Sequence, residues 1–132
     1  MANPVAWARS NYFAVKDVEK FREWADKRYC VVWEGSRQEQ GLFAITPHDN
    51  DCGNWEWIDP ETDEEFDILE ELAEHLVDGH VAILMEISHT KLAYVGGNAC
   101  AINSKGKRID IALGHIYEQA KTLGEHITVA EE

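Results

Sequence analysis

The side chains that could do chemistry are scattered along this sequence and do not form motifs. Cysteine stands at 30, 52 and 100 with no CxxC pair, and histidine at 48, 75, 80, 89, 115 and 126 with no HExxH helix. Zinc held by local spacing needs such pairs, so any metal site would have to be assembled by the fold; neither a metal nor a cofactor is expected. Cys30 beside Val31 and Val32, and Cys100 within NACAI, read as strand thiols facing an interior, whereas Cys52 lies in the polar loop HDNDCGN. In that loop His48, Asp49, Asp51 and Cys52 form the local cluster from which a small enzyme or ligand site could be built. A cysteine and histidine dyad requires the base to reach the sulfur, which sequence proximity in a loop does not guarantee, so no catalytic residue is assigned. Asp59, Glu61, Asp63, Asp67 and Glu70 fall at calcium-ligand positions of an EF-hand loop. Glu64 stands where that loop needs glycine, and Pro60 follows its first ligand, so the motif fails. The stretch YVGGNA likewise lacks the GxxxxGK[ST] pattern of a phosphate loop.

Charge is the stronger signal. The chain carries 25 Asp or Glu against 12 Lys or Arg, a formal net charge of -13. Fifteen of the acids lie between positions 38 and 90, where there is no Lys or Arg, and the rest of the chain holds 10 acidic and 12 basic residues. Such a chain has no electrostatic reason to approach nucleic-acid phosphates or anionic lipid, so neither direct nucleic-acid binding nor membrane attachment is expected. In the segment 61–76, ETDEEFDILEELAEHL, Asp67 and Glu71 lie four apart, as do Glu70 and Glu74, with no intrahelical cation. Each such pair costs about 0.2–0.5 kcal/mol in a helix, a penalty that burial of Phe66, Leu69 and Leu76 outweighs. Trp55 and Trp57, two apart, point the same way if their segment is extended; exposed, they offer rigid apolar contact inside an acidic rim, and otherwise they close over the end of a helix and sheet as core. Trp55, Trp57, Asp67, Glu70, Glu71 and Glu74 are therefore the expected interaction surface, and its partner a basic protein surface. Occlusion of a cationic groove, or imitation of nucleic acid, would make the protein an inhibitor of a nuclease or toxin, and a non-enzyme. Two alternatives stand beside this reading. One is a small enzyme or ligand-binding domain with a site at His48, Asp49, Asp51, Cys52 and the nearby tryptophans; the other is a homo-oligomer whose acidic face stays wet while an apolar strand or the terminal helix forms the interface.

These residues must be carried by a small scaffold. With 132 residues, 45% of them hydrophobic, the chain suits a single globular domain over 1–132, with 125–132 expected as a loose tail. Its start lacks the apolar run of a signal peptide and no stretch reaches 18 apolar residues, so the cytoplasm is the expected compartment. Alternation in RSNYFAVK, residues 9–16, predicts a strand. Asp17 then caps a helix with Val18, Phe21, Trp24 and Ala25 at helical spacing. YCVVWEGSR and GLFAITP read as a hairpin turned at SRQEQ. Thr62 and Glu65 have capping-box spacing for a helix that buries Phe66, Leu69, Ala73 and Leu76. HVAILMEISH has the composition of an interior strand, LAYVGGNACAIN continues extended with Gly96 and Gly97 marking a bulge or a close approach, and RIDI is a short strand. Asp110 is a possible cap of a last helix with Leu113, Ile116, Tyr117, Ala120 and Leu123 facing inward and Gly124 ending it. The expected class is α+β: a ferredoxin-like split βαβ order, βαββαβ, followed by an extra β-hairpin element and a C-terminal helix, with helices packed on a mainly antiparallel sheet.

Overall fold

The computed structural model describes residues 5–47, 54–90 and 94–130. Along them run β1 (Val5–Ser10), α1 (Val18–Lys27), β2 (Cys30–Glu34), β3 (Phe43–Pro47), α2 (Ile68–Ala73), β4 (Val81–Thr90), β5 (Tyr94–Asn103), β6 (Arg108–Ala112) and α3 (His115–Ala120). The fold is α+β. One antiparallel sheet has the order β1-β4-β5-β6, and β2-β3 form a separate antiparallel hairpin.

The first six elements come in the expected order, but their pairing is not that of a ferredoxin-like unit, because β3 does not join the sheet that contains β1. The cause is visible at Asn11. Its backbone N–H still donates to the Ile83 carbonyl at 3.1 Å, but its side-chain amide nitrogen donates to the Val81 carbonyl at 3.0 Å and its side-chain oxygen accepts from the Ile83 N–H at 2.8 Å, so side-chain bonds finish the ladder where β1 ends. The expected strand over 9–16 is therefore shifted to Val5–Ser10. Beyond it the chain leaves the sheet and crosses to the hairpin, where Phe13 and Phe43 exchange two backbone hydrogen bonds of 2.8 Å. Ser10, fully buried between the two sheets, accepts from the Ile45 N–H at 2.8 Å.

The core lies between the large sheet, the hairpin and the first two helices. Helix α1 starts at the expected cap, Asp17, whose carboxylate accepts from the Lys20 N–H, and it buries Phe21 and Ala25. Phe21 packs edge-on to Phe13 and stacks on Trp24, with ring centroids 5.9 Å apart in each pair. Helix α2 buries Ile68, Leu69, Leu72 and Ala73 beside Ala82, Leu84 and Ile102 of the large sheet. It starts later than the capping-box spacing predicts. Asp67, not Thr62, caps it by accepting from the Leu69 and Glu70 N–H groups, while Thr62 accepts from the Glu64 N–H inside a local turn. Gly96 and Gly97 lie in unbroken register with Ser88 and Ile87, so there is no bulge. They serve close approach instead: a Cβ at Gly96 would strike the Tyr94 ring, and one at Gly97 would come within 3.1 Å of the Glu86 carbonyl.

Candidate functional site

The acidic segment is folded around two arginines. Residues 57–66 form a tight turn-back, closed by Phe66 N–H donating to the Trp57 carbonyl and by Asp59 N–H donating to the Glu64 carbonyl. Asp63 sits at its tip with φ 59°, a conformation that a short acid side chain tolerates. Arg28, the residue that ends α1, reaches this turn and α2 together. Its Nε and second terminal nitrogen donate to both Glu71 oxygens at 2.7 and 2.8 Å, another terminal nitrogen lies 3.5 Å from Asp59, and the guanidinium covers the Phe66 ring at 4.0 Å. Trp24 adds an indole N–H to Glu71 at 2.8 Å. Burial alone would raise the Glu71 pKa, but the bonds from Arg28 and Trp24 and the arginine charge outweigh it and hold the carboxyl below its ordinary value. Arg108, on β6, donates one hydrogen bond to Asp67 at 2.8 Å, with its other terminal nitrogen 3.9 Å from Asp110.

These pairs divide the six residues singled out for interaction. Asp67 and Glu71 are bound inward, whereas Glu70 and Glu74 are exposed and have no Lys or Arg partner among the described residues. Asp63 and Glu65 on the turn are likewise exposed and make no ion pair with Lys or Arg among the described residues, while the charge of exposed Glu64 acts on Arg28. Trp55 is 6% exposed, with its indole N–H donating to the Met85 carbonyl and its backbone N–H to Glu86. Trp57 is 41% exposed. It stands between two concavities. On one side an open hollow of about 490 Å³ is lined by Trp57, Ile58, Glu65, Phe66 and Asp67. On the other a narrower cleft of about 260 Å³ runs along the inner face of the sheet, bounded by both tryptophans, Glu86, Asn98, Arg108 and Asp110. Both tryptophans touch one cleft, Trp55 as a member of the core cluster and Trp57 exposed, and carboxylates border Trp57 on both sides.

Sequence reasoning missed Arg28, Glu86, Asn98, Arg108 and the role of Asp110. Asp110 is not a helix cap: it lies in β6, paired with Cys100, and Gly114 occupies the cap position of α3. The available signal was a polar residue at an inward strand position, since Glu86 follows Ala82 and Leu84 in the inward register of β4, and Asn98 lies directly across from it on β5. Cys100 opens onto the cleft, where burial, then the bond to and charge of Asp110, push its thiol up to about 11; Cys30 is pushed up to about 12, mainly by burial. Both thiols are protonated at neutral pH, the state that suits packing and not nucleophilic attack. His80 accepts from the Ala14 N–H and His115 from the Ala112 N–H, while His75 packs against Trp24 with centroids 5.4 Å apart. Among the described residues no three His, Cys, Asp or Glu side chains are grouped to hold a metal ion. The cluster of His48, Asp49, Asp51 and Cys52 lies outside the described residues. No helix among the described residues is long and apolar enough to cross a membrane. Comparison of the chain with known protein families, with curated proteins and with solved structures finds no match.

Proposed function

We propose that this protein is a binding protein that receives basic side chains of a protein partner on the surface around Trp57, and so occludes the partner's cationic groove. The observation that carries this reading is the half-exposed Trp57 between two carboxylate-bordered concavities, with Glu70 on α2 and Glu74 at its C-terminal cap also exposed. A rigid indole offers apolar area and a π-face to an arginine or lysine stem, and the flanking carboxylates meet the charged end. Arg28 and Arg108 hold the acidic elements in place, so little ordering remains to be done when a partner docks. Inhibition of a nuclease or toxin belongs to this reading as one use of such a surface.

The test is retention of partners from an extract of the source cells at about 0.15 M salt, where long-range steering is already partly screened. Wild type is compared with Trp57→Ala and with Glu70→Lys/Glu74→Lys; Glu71 is left intact because it anchors Arg28. The expected result is a basic protein held by wild type and eluted by salt. Once purified, that protein binds Trp57→Ala at least about tenfold more weakly, as loss of an aromatic anchor implies. Equal retention by folded variants would overturn the reading. A second reading, a small-molecule site, draws on the cleft itself, where Glu86, Asn98, Arg108 and Asp110 converge beside two indoles. A thermal shift with polar small molecules that is abolished by Asp110→Ala, but not by Glu70→Lys/Glu74→Lys, would favour it.

A further inference from the structure

The large sheet has two apolar faces, and the described residues bury only one of them. On β4 the inward positions Ala82 and Leu84 are buried under α2, while Met85 and Ile87, pointing the other way, are each 54% exposed. The register places Trp7 of β1 beside Ile87, and Ile111 and Ile109 of β6 across β5 from Met85 and Ile83; the two β6 isoleucines are 64% and 72% exposed. Antiparallel sheets that face water alternate apolar and polar residues, whereas a strand reading VAILMEIS has the composition of one buried on both sides. Helix α3 does not supply the cover. It buries none of its residues, and its expected inward residues Leu113, Ile116 and Leu123 are exposed.

We infer that this outer face is the interface of a homodimer, in which two copies of the chain pack sheet against sheet about a two-fold axis. Two observations select a second copy as the occupant. First, the relief is self-complementary. The middle strand β5 presents Ala99 and Ala101 as a trough between a β4 ridge of Ile83, Met85 and Ile87 and a β6 ridge of Ile109 and Ile111, with the Leu113 side chain closing its Gly97 end. A ridge of one copy fits the trough of the other when identical twisted sheets are apposed. Second, the charge permits it. Two molecules of net charge -13 repel, yet on β1, β4, β5 and β6 this face carries Arg9 as its one charged position among the described residues. Helix α2 and its carboxylates lie beyond the opposite face of the sheet, so pairing keeps the two acidic surfaces apart by more than the Debye length of about 8–10 Å.

Sedimentation equilibrium of the full chain, from about 1 to 100 µM, tests the proposal because a dimer dissociates by mass action on dilution. Wild type is expected at twice 15.0 kDa at the upper concentrations. Met85→Glu and Ile111→Glu, two independent changes at exposed positions, are each expected to weaken association at least about a hundredfold while far-ultraviolet circular dichroism stays unchanged. Glu70→Lys/Glu74→Lys, on the other side of the molecule, leaves the mass at the dimer value. A monomeric wild type at the highest concentration overturns the proposal whether or not the variants fold. So does a dimer that survives both glutamate substitutions, which would place the contact elsewhere. The surface around Trp57 is untouched by these variants, so failure here leaves the partner-binding reading to its own test.

Discussion

Arg28 joins three pieces of chain through one guanidinium, and its partners are distant in sequence: Asp59 on the turn, Glu71 on α2 and the Phe66 ring between them. Both Glu71 oxygens are bridged in a largely enclosed site, so Arg28→Ala leaves a partly buried carboxylate with Trp24 alone. The expected cost is about 2 kcal/mol, read as a lower urea midpoint. Arg28→Lys recovers only part of it, because an ammonium cannot satisfy the two oxygens in a fork. The same site makes the fold acid-sensitive. Glu71 titrates below its ordinary value of 4.5 in the folded chain, so its contribution is present above that value and lost as pH falls through the lower folded pKa. His75, whose pKa burial lowers from 6.5, also favours the neutral side: its contribution is complete above 6.5 and declines below it. Between pH 7 and 5.5, where carboxylates are still ionised, a falling urea midpoint is therefore assigned to His75, and His75→Phe is expected to flatten that slope. None of this was legible beforehand. Arg28 looks like the basic end of a helix, and nothing in local spacing says that it meets an acid 43 positions away.

At the scale of elements, the periodic signals were sound and the boundaries and partners were not. Helix α1 was legible from Asp17 and the Phe21, Trp24, Ala25 stripe because cap and packing agree. Helix α2 had two competing starts. Thr62 with Glu65 satisfies the capping-box pattern, but Thr62 closes a local turn onto the Glu64 N–H and Asp63 at φ 59° is not helical, whereas Asp67 places Ile68 and Leu69 directly into the core. Asp67→Ala removes the oxygen that accepts from two N–H groups and the Arg108 partner, so it should cost about 1–2 kcal/mol, against nearly nothing for Thr62→Ala. Equal effects in thermal melts would return the start to Thr62. The inward stripe of α3 was read with the right period and the wrong partner: it is apolar, but the fold of one chain does not bury it. Pairing failed for a similar reason, since the alternation through Phe13 and Val15 is real while Asn11 diverts the strand to other neighbours. Of the surface around Trp57, the tryptophan pair and the acids could be read from the chain. The cleft wall of Glu86, Asn98 and Arg108 could not, because it exists only once three strands are in register.

For the whole molecule, the open question is whether the charge at -13 is merely solvated or held for use, and Glu74 separates the two. It caps the C-terminal end of α2, where a carboxylate opposes the helix dipole, and it lies four residues after Glu70. Both effects disfavour it, and it has no Lys or Arg partner among the described residues to offset them. Glu74→Lys reverses each: the cation suits the helix end, and Glu70 with Lys in the fourth position after it attracts in the favourable orientation. The substitution should raise stability by about 0.5 kcal/mol at low salt, a shift of a few degrees in Tm for a chain of this size. That gain should shrink as salt screens it. If the acidic surface is only a solubilising coat, stability improves and nothing else changes. If it docks on a basic protein, the same substitution lowers retention and its salt-sensitive component. A stabilised protein that binds its partner less well would show that the fold carries this repulsion for binding, the trade between stability and function expected at a working surface. Stabilisation with undiminished binding would move the site away from α2 and onto Trp57 and its cleft.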